Sequence, residues 1–327
     1  MSASLRIGKI FGIPIEIHAS WVLAFALITY LMSNLLGQPY GLSGRPQPAW
    51  PETQRWSLAL ITSALFFLSV LAHELTHSVV ATRWGIPVRK ITLFVFGGVS
   101  QLAHEARRPL IEFTVAVVGP LSSLALSGVL AGLWLLLREA YAPLGEVLLI
   151  LAWVNLSLAV FNMLPGFPLD GGRVLRSAIW GLTGSYWRAT QVAARAGQLL
   201  GISMIAGGIF SMILASRWEW AWTALIGAFL LSAATGAYRQ EKERERLKGY
   251  TVGQAMVSRW PTVATPEALA SHMAPGDDLS VALEQMETQG ASRLPVIQNG
   301  MVVGVIGLEQ LLPLVGQRRS RRWIWRR

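Results

Sequence analysis

The chain's 327 residues are 53% hydrophobic and 14% charged, with a mean hydropathy of +0.45; soluble domains carry about 25% charged residues, so a single water-soluble globule, a disordered chain and a collagen-like repeat are excluded. With no cysteine there is no disulfide scaffold, thiolate nucleophile or thiolate metal site. The net charge of +10 would suit nucleic acid, but the basic residues flank long apolar runs, so they are read as orienting the chain in a lipid bilayer and no nucleic-acid partner is expected.

Six stretches are apolar and long enough to cross a bilayer, which takes roughly 20 residues of helix. They run approximately over 17–36, 56–82, 113–137, 147–164, 196–215 and 218–238. With the N-terminus in the cytosol, the segments on that side hold eleven Lys and Arg and those on the other side four, so a multi-pass cell-membrane protein with both termini cytosolic is expected. A cleaved signal peptide is not expected, because the first apolar run is long and no small-x-small site follows it.

The second stretch contains His73-Glu74-Leu75-Thr76-His77. On a helix, residues i and i+4 share a face, so both imidazoles can bind one Zn²⁺ while Glu74 reaches a water the metal activates. This is metalloprotease chemistry, with Glu74 as general base. Ionisable residues inside hydrocarbon are costly and are functional by default; a polar packing cluster, or a His pair serving a transporter or redox protein, is the alternative.

Zinc needs a third ligand. His18, His104 and His272 lie at no recognised spacing from the pair, and the metzincin continuation fails at Val80 and Arg83. Glu105 and Glu112 remain open, but Asp170 is the stronger candidate. It sits in a Pro- and Gly-rich, apolar stretch, 162–172, that cannot continue as helix and is too apolar for an ordinary water-exposed loop. Irregular backbone at membrane depth is tolerated when buried in protein or lining a cavity, and the second and fourth spans both end on the cytosolic side. The bland reading of Asp170 is an Asx turn or a cap on a helix over 173–182.

These residues resemble the site-2 protease family of intramembrane zinc metalloproteases. His73 to His77 is similar to that family's zinc helix, 162–171 to its second motif, and 96–102 and 112–121 to its intervening segments. The resemblance spans about 10–238 and implies one Zn²⁺ per chain on His73, His77 and Asp170. It also implies a general base at Glu74, substrate positioning by Asn162, and a transmembrane protein as substrate, usually trimmed first. Asn162 reads equally as a side-chain cap ending the fourth span. A non-proteolytic membrane sensor or transporter with a vestigial metal site is the competing class; a carrier needs no carboxylate beside the His pair, so Glu74 separates the two.

The β-branched and aromatic segment 91–96, ending at Gly97-Gly98, reads as a strand. Its edge either takes an unwound substrate by strand addition or belongs to a hairpin that only covers the zinc helix.

The fold expected is mainly α: about six transmembrane helices and a small soluble α+β domain. The domains are an intramembrane metalloprotease domain over 1–238, a charged linker over 239–249, a soluble domain over 250–316 and a basic, Trp-containing tail over 317–327. In the soluble domain 279–289 has helical periodicity, and 293–297 and 301–306 read as strands joined through Asn299-Gly300. Parts of it resemble one cystathionine-β-synthase (CBS) repeat. Gly307 and Gln310 stand where that repeat often has a Thr and a ribose-binding Asp, which argues against a bound nucleotide. A lone repeat exposes its pairing face, so a homodimer through this domain is expected. The tail reads either as adsorbed to the membrane surface or as solvated.

Overall fold

The computed structural model describes residues 4–44, 50–139, 141–263 and 271–315, so the basic tail over 317–327 lies outside the described residues. The chain divides into two compact units, 1–235 and 236–327.

The first unit opens with strands β1 (Ser4–Ile10) and β2 (Ile13–His18), then helices α1 (Ser20–Leu36) and α2 (Glu52–Arg83), then strands β3 (Val88–Phe94) and β4 (Gly97–Leu102). The four strands form one sheet in the order β1-β2-β3-β4, antiparallel except for the β2–β3 pair. Alternation explains the sheet: Ile13, Ile15 and Ile91 lie on one face and bury against Leu71 and Leu75 of α2. The sheet thus packs on the turn of α2 that carries the two-His motif. It also corrects two expectations. Ile17 and His18 end β2 instead of starting a span, because the period-two pattern Ile13, Ile15, Ile17 pairs with β3. Strand β3 is interior, with hydrogen-bonded neighbours on both sides, so the sheet's edges belong to β1 and to β4, the strand that follows it.

Helices α3 (Pro109–Leu137), α4 (Ala142–Asn162), α5 (Asp170–Thr183), α6 (Tyr186–Ala215) and α7 (Ala221–Leu247) follow. Among the described residues five helices are long and apolar enough to cross a membrane, namely α2, α3, α4, α6 and the 218–247 segment containing α7; α1 is apolar with 17 residues. Helix α6 begins ten residues before the expected 196. Its first turns carry Arg188 and Arg195, yet Ala189, Ala193 and Ala194 give a fully buried small-residue face that extends the helix. The charged run after Tyr238 continues α7 as helix.

Between lipid-facing helices the hydrophobic effect gives little attraction, and close packing and polar links take over. Ser127 Oγ donates to the Ala152 carbonyl at 2.7 Å, tying α3 to α4, and Asn155 Nδ2 donates to Ser69 Oγ at 3.2 Å, tying α4 to α2.

In the second unit, α8 (Val252–Ala255) and β5 (Val257–Val263) precede α9 (Leu279–Gln289), β6 (Arg293–Gln298), β7 (Met301–Gly307) and α10 (Leu308–Val315). The sheet order is β5-β7-β6, all antiparallel. The β6–β7 turn falls on Asn299-Gly300 with φ of 53° and 75°, the left-handed pair that this dipeptide favours. Leu279, Met286, Leu294, Val296 and Ile306 fill the core.

Asp278 caps α9, its Oδ1 accepting from the Ser280 amide at 2.8 Å, while Oδ2 accepts from the Gly249 amide at 3.0 Å. Partial burial acts to raise its carboxyl pKa, but these hydrogen bonds outweigh it and hold the group below the usual carboxylate range. A depressed carboxylate contributes stability that is present above the unfolded pKa, about 3.9, and is lost as pH falls through the folded value. Asp278→Ala should cost about 1 kcal/mol. Amide exchange in α9 of the detergent-solubilised chain should then accelerate about fivefold; unchanged exchange would rule out the cap's contribution.

Candidate functional site

Helix α2 places His73 and His77 one turn apart on its buried face. Helix α4 ends at Asn162, and residues 163–169 leave helical geometry, with a cis bond at Phe167-Pro168, before α5 begins at Asp170. The bend is held from two sides. Phe167 N–H donates to the Ala193 carbonyl of α6 at 3.1 Å. Gly172 packs so closely on Gly166 that a Cβ there would fall 2.4 Å from the Gly166 carbonyl carbon.

The bend delivers Asp170 to the His pair. His73 Nε2 and His77 Nε2 are 3.1 Å apart, and Asp170 Oδ2 lies 3.2 Å from the first and 3.0 Å from the second. Among the described residues these three form the one group of His and carboxylate side chains able to share a metal ion. Asp170 is therefore not the cap of α5; Leu169 occupies that position, and the Asp170 side chain meets the imidazoles.

The donor set fits a cation. His77 Nδ1 lies 2.6 Å from the Val115 carbonyl of α3. A carbonyl only accepts, so Nδ1 carries the proton, and when the ring is neutral Nε2 presents a bare lone pair. His73 Nδ1 lies 2.9 Å from Ser123 Oγ, also on α3, which can accept in the same way. A single proton could bridge one pair of the three converging atoms but not all of them; a central cation serves all three. Tetrahedral zinc with bonds of about 2.0–2.1 Å holds its ligands roughly 3.3 Å apart, close to the separations found. Outer hydrogen bonds from ligand imidazoles to a carbonyl or hydroxyl are the usual means of fixing tautomer and ring orientation.

Glu105 and Glu112, the open alternatives for the third ligand, are engaged elsewhere. Arg176 Nε donates to Glu112 Oε1 at 2.6 Å, and the guanidinium sits 4.8 Å from the Phe167 ring centroid and 4.6 Å from that of Tyr186, whose hydroxyl donates to Glu105. This buried cluster braces α5, which carries Asp170, against α3, which orients both imidazoles. His18 bonds Ser20, and His104 bonds the Glu105 carbonyl.

Glu74 lies beside the triad on the wall of a cleft. Phe66, Phe67 and Val70 of α2, Leu158, Phe161 and Asn162 of α4, Phe96, and Trp222 and Phe229 of α7 also line it. Phe96, in the β3–β4 turn, stacks on Phe229 with centroids 4.3 Å apart. Asn162 lines the wall, and its Nδ2 donates to the Leu158 carbonyl at 2.9 Å, the helix-end contact that is its other reading. Sequence reasoning singled out 112–121 without giving a role to the Val115 carbonyl or Gly119 of α3, and it missed Ser123 of the same helix. A Gly-Pro pair, Gly119-Pro120, within a 29-residue apolar helix was the available signal, since proline removes one ladder bond there.

A family model described as "Peptidase family M50" matches residues 61–141 and 138–204. "Putative zinc metalloprotease sll0528" of Synechocystis is 38% identical over 265 residues, covering 80% of this chain and 67% of the relative. "Putative zinc metalloprotease Rip3" of Mycobacterium tuberculosis is 32% identical over 327 residues, covering 98% and 78%. A solved structure, "Site-2 Protease from Methanocaldococcus jannaschii", matches with a TM-score of 0.50 at 30% identity, covering 72% of this chain and 95% of that one.

Proposed function

Because the chain belongs to peptidase family M50 and is an integral-membrane zinc metalloendopeptidase of the site-2 protease type, we propose that it hydrolyses peptide bonds within transmembrane segments of other membrane proteins, using His73, His77 and Asp170 as zinc ligands and Glu74 as general base. One observation carries this reading: three lone-pair donors converge within about one hydrogen-bond length of each other beside a carboxylate.

When bound, zinc polarises a carbonyl and lowers the pKa of water from 15.7 towards ~7. The chain's own residues do the rest. Ser123 and the Val115 carbonyl hold the imidazoles with Nε2 turned to the metal. Glu74 accepts the proton of the attacking water and returns it to the leaving amine. The aromatic and aliphatic cleft walls suit the side chains of a membrane-spanning substrate.

A helical peptide bond hides its carbonyl in an internal hydrogen bond, so the substrate must unwind locally, and the free edge of β4 beside Glu74 suits an extended segment. Asn162, on the same wall, orients the substrate or its oxyanion. Both termini lie in the cytosol, with α1 as a sixth crossing alongside the five longer helices. The domains are a membrane protease over 1–238, a charged linker over 239–249 and a CBS-like cytosolic domain over 250–316, through which two chains pair. No nucleotide is needed there: the Gly307 amide donates to Gln310 Oε1 at 2.8 Å, so these polar groups satisfy each other. The names of the Synechocystis and Mycobacterium tuberculosis relatives, both putative zinc metalloproteases, support the proteolytic reading over a sensor or transporter.

Metal analysis of the purified chain, combined with cleavage of a tagged single-span substrate, tests the assignment. Wild type should carry one zinc per chain, and His73→Ala and Asp170→Ala should lose both zinc and cleavage. Zinc retained at full occupancy in Asp170→Ala would overturn the ligand set.

A further inference from the structure

Strand β4 touches Glu74 at two alternate positions, which face the same side of a strand. At Gly98 a Cβ would fall 2.4 Å from Glu74 Cγ, so this position makes room for the carboxylate. At Ser100 the hydroxyl grips it: Oγ lies 2.7 Å from Glu74 Oε2 and 3.4 Å from the Glu74 carbonyl. A second hydroxyl completes the arrangement. Ser78, fully buried one turn after Glu74 on α2, lies with its Oγ 3.1 Å from Ser100 Oγ.

A hydroxyl carries a single proton. Ionised Glu74 can only accept, so Ser100 directs its proton to Oε2 and accepts from Ser78. The chain of donors runs one way, from Ser78 to Ser100 to the carboxylate. It spans two elements, because Ser78 and Glu74 belong to α2 and Ser100 to β4, the strand whose Gly97 and Gly98 line the cleft.

We infer that Ser100, backed by Ser78, is a positioning residue for the hydrolytic reaction: it holds the Glu74 carboxylate in its working orientation and registers the general base to β4, leaving Oε1 free for the water. The inference rests on the reading of Glu74 as general base. Hydrogen bonds to charged groups are among the stronger ones in proteins, and small misplacements of a reacting group lower rates steeply. The contact occurs at the reacting carboxylate, not along the substrate's length, so its loss should fall on kcat and not on KM.

The test uses the full chain in detergent or proteoliposomes with a tagged single-span substrate, comparing wild type, Ser100→Ala, Ser100→Thr, Ser78→Ala, Glu74→Gln and the Glu74→Gln/Ser100→Ala double variant. Zinc content is measured for each. Ser100→Ala should lower kcat about 10- to 100-fold, leave KM within about twofold and keep one zinc per chain. Ser100→Thr, which retains a hydroxyl, should return to within about threefold of wild type, and Ser78→Ala should fall between the two. In the Glu74→Gln background, Ser100→Ala should add no further loss.

A Ser100→Ala protein with wild-type kcat overturns the inference, as does one that loses zinc or whose defect lies in KM, since either marks general structural damage. A Thr variant as slow as the Ala variant, or full additivity with Glu74→Gln, does so too. If Glu74→Gln itself cleaves normally, it is the reading of the general base that fails. If Glu74→Gln is inactive while Ser100→Ala is unimpaired, only the role of Ser100 fails.

Discussion

Glu74→Gln should purify with one zinc per chain and cleave its substrate at least about 10²–10⁴-fold more slowly than wild type, the span typical of general acid–base catalysis. The substitution is nearly isosteric, so the cleft shape and the contact to Ser100 have little reason to change; the amide can still accept from the Ser100 hydroxyl at its oxygen. It cannot take a proton from water at neutral pH. Because Glu74 is absent from the converging donor set, metal retention separates its role from those of His73, His77 and Asp170. Single-turnover cleavage with parallel metal analysis reads both quantities. Equal cleavage by the variant and wild type would remove Glu74 from the chemistry, whereas loss of zinc would reassign it to holding the metal.

The parts of this site that were legible in the sequence share one property: their partners follow from local geometry. Two imidazoles four residues apart on a helix meet on one face whatever surrounds them, and Asn299-Gly300 between alternating apolar residues makes its turn without outside help. Asp170 was reachable by elimination and by the refusal of residues 162–172 to form helix, although the close packing of Gly172 on Gly166 that aims it is visible only in three dimensions. The first span was misplaced at its start because hydropathy cannot distinguish a strand from a helix within a continuous apolar run; only pairing with Ile91, Thr92 and Leu93 decides it. The same limit put the free sheet edge on the wrong strand, since strand order depends on contacts between segments some 75 residues apart. Ser123, Ser100 and the Val115 carbonyl were hidden for a further reason. Serines are common in apolar helices and on strands alike, and a backbone carbonyl has no sequence signature, so their roles arise only when α3 and β4 dock on α2.

Gly119 shows how tightly that docking is drawn. A methyl group at this position would stand 2.0 Å from His77 Nε2, 2.4 Å from His77 Cε1 and 2.8 Å from His73 Nε2. Contacts under 3.0 Å force something to move, and here the affected atoms are the two nitrogens that would hold the metal. The rings cannot retreat cheaply. His77 is anchored through Nδ1 to Val115, one turn before Gly119, and His73 through Nδ1 to Ser123, one turn after it, so the helix bearing the new methyl group also fixes both imidazoles. Gly119→Ala should therefore displace the nitrogens from the shared centre, lowering zinc affinity by more than the 10- to 100-fold typical of losing an outer-sphere partner and abolishing cleavage. Helix propensity runs in the opposite direction, since alanine is favoured over glycine by about 1 kcal/mol within a helix, so α3 itself should form at least as well. Gly128→Ala is the matched control: it lies on the same helix with nothing within 4 Å of its added Cβ, and it should keep wild-type zinc and activity. Competition with a chelator of known affinity measures the difference directly. If Gly119→Ala held zinc as firmly as Gly128→Ala, the imidazoles would have to sit further from α3 than these distances allow, and the arrangement of donors argued for here would be wrong.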